Sequence, residues 1–274
     1  MIELADGQVT YERRGFKDRI AWITMNRPEY RNAQSRALRE GLDEAFEMAV
    51  DEHDVRVIVL AGAGEHWSSG HDLGTPEELA DQAARPYPPG TYGDRHKSYE
   101  QNIANTFRWR DVPKPTIAAV HGFVIYGGWM IASAMDLIVA ADDTRFLPGT
   151  VQYFSVPWEL GPRRAKELLW RAQFLDADAA LEAGFVSHVV PRDELEDAAL
   201  ELANDISRQD PLTATMIKRM VNQAQDRTGY RDAIDAAHNS YMVLQMGGAM
   251  NRADDGSGGT KRLAGVEAAL KDRD

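Results

Sequence analysis

The sequence contains no cysteine. Disulfide frameworks, thiolate metal sites, iron–sulfur clusters and cysteine nucleophiles are thereby excluded, and the absence fits a reducing compartment. Positive charge is also scarce: 31 Lys and Arg stand against 43 Asp and Glu, a formal net charge of −12. So acidic a chain is not expected to bind nucleic acid or an anionic membrane surface. No hydrophobic run is fit to span a bilayer either. The most apolar stretch, residues 115–141, contains His121 and Asp136 and is broken by Gly127-Gly128, so it reads as buried protein core. The first residues, MIELADGQVTYERRG, are acidic early and hold no apolar segment of signal-peptide length; the expected location is the cytoplasm.

What is present is a chain of 274 residues, long enough to bury a self-sufficient core. Its first two thirds alternate between strand and helix patterns. Ile20-Ala-Trp-Ile-Thr-Met is a β-rich run, and Leu38, Leu42, Ala45, Phe46 and Ala49 then recur at helical spacing with Arg39, Glu40, Asp43, Glu44 and Glu47 outside. Val55-Arg-Val-Ile-Val-Leu-Ala reads as a buried parallel strand ending in Gly62-Ala-Gly. Residues 75–98 carry four prolines and two glycines among their 24 residues and are expected to form a long loop. A helix over 99–109, a strand at Thr116-Ile-Ala-Ala-Val, a helix from Trp129 and a strand after Asp136 follow. The last third is predicted mainly helical, over 163–170, 177–183, 193–208, 213–225 and 230–245, with a strand at 186–190, a flexible spacer at 254–260 and a tail helix over 263–270. The expected organisation is an α/β core over residues 1–195 and a C-terminal helical region over 196–274.

Two segments carry chemistry: Trp67-Ser-Ser-Gly-His-Asp-Leu and Ala119-Val-His-Gly-Phe-Val-Ile-Tyr-Gly-Gly-Trp-Met. Each follows a predicted buried strand and turns at glycine toward a helix. Such turns leave main-chain N–H groups unpaired, and two of them brought together make an oxyanion hole. Alone, either segment fits any α/β protein. With Asn26-Arg-Pro-Glu-Tyr-Arg-Asn-Ala upstream, and Glu167-Leu-Leu and Asp178-Ala-Ala-Leu-Glu-Ala-Gly-Phe-Val-Ser-His-Val-Val downstream, the ordered set resembles the crotonase (enoyl-CoA hydratase/isomerase) superfamily over about residues 8–250.

The resemblance implies a spiral of ββα units, C-terminal helices that pack trimers or hexamers, and an acyl-CoA thioester as ligand, with coenzyme A part of the substrate and no separate cofactor or metal. The oxyanion donors would be the N–H groups of His71 and Gly127, flanked by Ser69, Gly70, Asp72, Leu73 and Gly128. Ala33 matches the segment lying along the CoA, Arg27 and Arg31 would offer charge to its phosphates, and Lys261 with Arg262 resembles basic residues that reach a neighbour's CoA.

The same resemblance exposes a gap. A hydratase needs one carboxylate to activate water and an acid to deliver the α-proton. The position three residues after the donor glycine, glutamate in the family, is Met130, and an ungapped reading puts Thr150 at the second. Glu159 is the nearest surviving carboxylate, with the start of a helix as its structural alternative. Tyr126, beside Gly127, would serve as a weak acid or as packing. Tyr153, His66, Asp94 and His96 are further candidates. Asp136 is expected to cap a helix and His121 to be structural. The expected function is a nominal enoyl-CoA hydratase that stabilises a thioester enolate but hydrates poorly; the alternatives are a non-catalytic acyl-CoA-binding scaffold and a divergent isomerase or carbon–carbon hydrolase.

Overall fold

The structure is a computed structural model that describes residues 1–149 and 151–246. Thr150, Lys261, Arg262, the spacer over 254–260 and the tail helix over 263–270 lie outside the described residues. Ten strands occur among them: β1 (Ile2–Leu4), β2 (Val9–Arg14), β3 (Ile20–Met25), β4 (Val57–Gly62), β5 (Thr116–Val120), β6 (Phe123–Ile125), β7 (Leu137–Ala141), β8 (Arg145–Leu147), β9 (Leu175–Asp176) and β10 (His188–Val190). The main sheet has the order β1-β2-β3-β4-β5-β7-β10, antiparallel through β1, β2 and β3 and parallel from β3 to β10. A small second sheet, β6-β8-β9, stands beside it.

The helices are α1 (Arg36–Asp51), α2 (Pro76–Ala84), α3 (Gly90–Tyr99), α4 (Asn105–Asp111), α5 (Gly127–Ala134), α6 (Val156–Leu160), α7 (Pro162–Arg171), α8 (Ala177–Glu182), α9 (Leu195–Ile206), α10 (Pro211–Arg227) and α11 (Tyr230–Met246). Alternation along the parallel strands divides the core in two. Ala21, Ile23, Ile58, Leu60 and Ala118 face α1 through Leu38, Leu42, Ala45 and Phe46. Ile20, Trp22, Val57, Val59, Ile117 and Val139 face Leu195, Ala199 and Ala203 of α9. Both faces of the parallel sheet are thus covered, as its near-continuous apolar strands require. Among the described residues no helix is long and apolar enough to cross a membrane.

The segment 75–98 is a correction. Helices α2 and α3 occupy most of it. The Thr75 hydroxyl caps α2 by accepting from the Glu78 N–H, Pro76 fills the first helical position, and Glu77 and Glu78 sit at the positive end of the helix. A π-helical turn at Glu100–Ala104 joins α3 to α4. Asp136 is structural but caps no helix: its Oδ2 accepts from the Thr116 N–H (2.8 Å) and hydroxyl (3.0 Å) and pairs with Lys218 Nζ (2.8 Å), fastening the start of β5 to α10. His121 is structural, as its sequence context indicates. It is 7% exposed, its Nε2 meets the Gly64 carbonyl at 3.1 Å, and burial pushes its pKa down to about 4.

Candidate active site

Strands β3, β4 and β5 run parallel, so the segments that leave them emerge at one end of the sheet, the end where α/β folds place their ligand sites. Two isolated parallel bridges, Gln34 with His71 and Ser68 with Val124, draw the three segments together. Gln34 N–H donates to the Gly70 carbonyl (2.8 Å) and Asp72 N–H to the Gln34 carbonyl (3.2 Å). In such a bridge the His71 N–H points to the opposite side. The Ser68 hydroxyl is the knot of the turn: it accepts from Gln34 Nε2 (3.1 Å) and from the Gly70 N–H (3.2 Å), and donates to the Asn32 carbonyl (2.9 Å).

The second turn lies directly against the first. A Cβ on Gly70 would stand 3.2 Å from Gly127 N and 2.8 Å from the Ile125 carbonyl oxygen. A Cβ on Gly127 would stand 2.6 Å from Gln34 Oε1 and 2.8 Å from the His71 ring, and one on Gly128 would meet the Ser68 carbonyl oxygen at 2.9 Å. Gly70 and Gly128 are therefore glycines because the backbones touch, and Gly127 faces the side chains of Gln34 and His71 instead. Gly127 opens α5, where N–H groups have no partner in the helix. No acceptor for the His71 or Gly127 N–H occurs among the described residues. Tyr126 precedes this helix with φ 47° and ψ −100°, a region a residue with a side chain rarely enters. The Leu147 carbonyl accepts its N–H at 2.7 Å, and burial raises its phenol pKa.

A cavity of about 490 Å³ opens beside the first turn, lined by Arg39, His71, Leu73, Gln101, Asn102 and Gln152 among others. His71 Nε2–H donates to Gln152 Oε1 (3.0 Å), which leaves Nδ1 unprotonated and facing Arg39 Nη1 at 3.5 Å. Burial and the Arg39 charge push the imidazole down to about 3, so it is neutral at physiological pH. Leu73 is 76% exposed at the cavity's edge. Asp94 lines the cavity from α3, whereas His96 is exposed and stacks on Tyr92.

The remaining candidates distribute differently from the expectation. Met130 is 3% exposed in an apolar cluster with Ile103, Phe107, Tyr153, Tyr230 and Ile234, and the Tyr153 and Tyr230 hydroxyls share a hydrogen bond of 3.1 Å. Glu159 is not brought to the turns. It lines a separate cavity of about 790 Å³ with Arg110, Ser133, Asp136 and Lys218, where burial lifts its carboxyl to about 8 despite the Arg110 charge. It lies in the first turn of α6 because Ser155-Val-Pro starts that helix just before it. His66 stacks on Phe123 at 4.3 Å and its Nδ1 accepts from the Phe123 N–H. Ser69 donates its N–H to the Arg31 carbonyl (2.9 Å), and Ala33 is buried behind the same turn.

Arg27 is a correction among the expected phosphate ligands. It is 1% exposed, and its guanidinium binds Asp72 Oδ2 (2.6 Å), Thr75 Oγ1 (2.7 Å), Glu77 Oε2 (2.5 Å) and the Ala33 carbonyl (3.0 Å) over the Tyr30 ring. Two carboxylates already neutralise it. Burial opposes ionisation of Asp72, yet hydrogen bonds from Thr75, Gly74 and Arg27 hold its carboxyl below the usual range. Arg31, by contrast, is exposed, with a left-handed backbone at φ 53°. Gln34, Arg39, Ser68 and Gln152 were not legible as site residues. Arg39 reads in sequence as one more charge on the outer face of an amphipathic helix.

A family profile described as enoyl-CoA hydratase/isomerase matches residues 15–245. EchA13 of Mycobacterium tuberculosis, which carries the provisional name enoyl-CoA hydratase, is 39% identical over 93% of this chain and 84% of its own. The mitochondrial Delta(3,5)-Delta(2,4)-dienoyl-CoA isomerase of Rattus norvegicus is 34% identical over 70% of this chain and 62% of its own. The crystal structure of a probable enoyl-CoA hydratase from Mycobacterium thermoresistibile superposes with a TM-score of 0.79 at 36% identity, covering 89% of this chain and 98% of that one. The fold and the paired glycine turns define a crotonase-type α/β protein. The chain belongs to the enoyl-CoA hydratase/isomerase family.

Proposed function

We propose that the chain binds acyl-CoA thioesters and holds the thioester oxygen between the N–H groups of His71 and Gly127. Charge grows on that oxygen whenever a proton leaves Cα or a nucleophile adds at Cβ, and donors fixed in advance favour that state over the bound substrate. The observation that carries the reading is the contact of the two turns, with neither N–H given an acceptor among the described residues. Family membership supports the ligand class.

Ordinary hydration is proposed to be slow. Met130 stands in an apolar cluster where the resemblance expects a carboxylate, and a thioether neither activates water nor delivers a proton. Isomerisation adds no water, but it too needs a group to carry the proton between carbons; the rat relative is named for that reaction. Arg31 remains as a cation for the CoA phosphates. Trimers, or pairs of trimers, belong to the same reading, and the exposed apolar strip Leu212, Met216, Ile217, Met220 and Val221 on α10 supports it.

The test is titration calorimetry with CoA and butyryl-CoA beside a turnover screen of 2-enoyl, 3-enoyl and dienoyl thioesters. Binding with turnover of an isomerisable thioester and slow hydration of crotonyl-CoA is the expected result. Rapid hydration, undiminished in Tyr126→Phe and Glu159→Gln, would sink the claim that the vacant carboxylate positions matter. Tight binding without any product would make the chain a binding protein.

A further inference from the structure

The cavity beside the turn contains a buried cation without a counterion. Arg39, in the first turns of α1, is 7% exposed. Its Nη2 donates to Gln101 Oε1 (3.1 Å), its Nη1 faces His71 Nδ1 (3.5 Å), and its Nε meets no acceptor. Both partners are neutral. Among the described residues no carboxylate lies within ion-pair distance of it, whereas the other buried arginines each have one: Arg27 has Asp72, Arg36 has Asp81 and Arg110 has Asp226.

Of the three carboxylates that line the same cavity, two are held elsewhere. Asp72 belongs to Arg27 and Thr75. Glu78 accepts the Arg36 N–H (2.7 Å) and the Gln82 amide (2.7 Å) and favours the Arg39 charge only from beyond pairing distance. Asp94 and Lys97 come from α3 at the cavity's other wall. Burying a guanidinium unpaired is unfavourable, because no counterion repays its desolvation. An uncompensated cation kept beside an oxyanion turn therefore points to an anion supplied by the ligand.

We infer that Arg39 is the receptor for a carboxylate on the acyl group, so that the preferred thioesters are short acyl-CoAs bearing a free second carboxylate. Arg39 lines the cavity, and its two Nη groups keep N–H donors beyond those directed at Gln101 and His71. The Nη pair is therefore the edge that matches a carboxylate, whereas Nε is buried away from the cavity surface. The guanidinium touches the imidazole of the very residue whose N–H faces the thioester oxygen, so only a few bonds separate the two ends of such an acyl group. Gln101 and His71 orient the fork and cannot neutralise it. This inference rests on the acyl-CoA reading above and names its substrate class.

The experiment compares succinyl-CoA with butyryl-CoA, alike in chain length and different in the carboxylate, by calorimetry on the full chain. The wild type is expected to bind succinyl-CoA about tenfold more tightly or better, the size of a charge-assisted hydrogen bond. In Arg39→Met the preference should shrink to about threefold or less, and Arg39→Lys should retain part of it. Thermal unfolding without ligand separates recognition from structure: Arg39→Met should melt no lower than wild type, since a long apolar side chain replaces an unpaired charge. Equal affinities in the wild type, a preference that survives Arg39→Met, or a clear loss of melting temperature in that variant overturns the inference. Failure of both thioesters to bind overturns the acyl-CoA reading itself.

Discussion

A methyl group on Gly127 would stand inside the van der Waals radii of Gln34 Oε1 and the His71 ring. Gly127→Ala must therefore displace the Gln34 amide and the His71 ring that face the donor turn, and positioning errors of this kind are costly when the donors act only at one geometry. Turnover of any thioester substrate by Gly127→Ala is expected to fall by about 100-fold or more, the usual loss for an oxyanion donor. His71→Ala should lose less, because the donor there is main-chain and the ring is a neutral neighbour. Steady-state kinetics on the two variants decides, and an equal loss would assign a chemical role to the imidazole. At this scale the sequence was informative about glycine and uninformative about charge. Gly70 and Gly128 announce themselves because a side chain there would run into facing backbone, and Gly127 because it sits against Gln34 and His71. Arg27 and Arg39 are the same letter in the sequence, yet one is saturated by two carboxylates and the other, among the described residues, by none, a difference set by residues 32 to 62 positions away.

Among the elements, the segment from Asp72 to α2 is the one on which the first turn depends. Arg27, just after β3, is tied to Asp72 and Thr75, so the turn that carries His71 is locked to the cap of α2. Removing the cation strands the Asp72 carboxylate, whose side chain is 1% exposed. Arg27→Met is expected to lower unfolding stability by about 3–5 kcal/mol, read from urea denaturation at neutral pH. Thr75→Ala removes the cap and one partner of Arg27 and should cost about 1 kcal/mol, as N-caps do; a larger loss would show that the hydroxyl matters mainly to the buried ion pair. Proline and glycine density hid α2 and α3 from a reading based on composition. Thr-Pro-Glu-Glu at 75–78 is nonetheless a helix start written in local chemistry, and it was the available signal.

The whole molecule carries opposed titrations. His71 and His121 have pKa values of about 3 and about 4 in the fold against 6.5 outside it. Below pH 6.5 the unfolded chain takes up protons that the folded one refuses, so stability falls as pH drops through that window. Glu159 acts in reverse. Its carboxyl titrates at about 8 in the fold against 4.5 outside, so between those values the folded chain holds the extra proton and stability falls as pH rises. Each group contributes a slope of about 1.4 kcal/mol per pH unit within its window. With His66 and His238 also lowered, the histidines outweigh one glutamate on the acid side of 6.5, and Glu159 lowers stability above it, so stability declines on both sides of near-neutral pH. Melting temperatures across pH 4.5–8.5 test this, and Glu159→Gln should remove the decline on the alkaline side. Assembly is testable at the same scale: Met220→Glu, placed in the exposed strip of α10, should yield monomers by light scattering if that strip joins copies of the chain.

The strands at 20–25, 57–62, 116–120 and 137–141, most of the helices, the parallel core and the two glycine turns followed from local pattern: β-branched runs, helical spacing of apolar residues, and glycine at the two junctions. These features depend on neighbours in sequence, which is why a linear reading captures them. The partner of each charge did not follow, because pairing depends on which loops the sheet brings to one end. Folding gave Arg27 its carboxylates, placed Glu159 in a cavity away from the turns, enclosed Met130 in an apolar cluster, and left Arg39 buried beside His71 with no counterion among the described residues. Main-chain donors can be placed by local turns alone, whereas electrostatic complementarity is a property of distances that only the tertiary fold fixes.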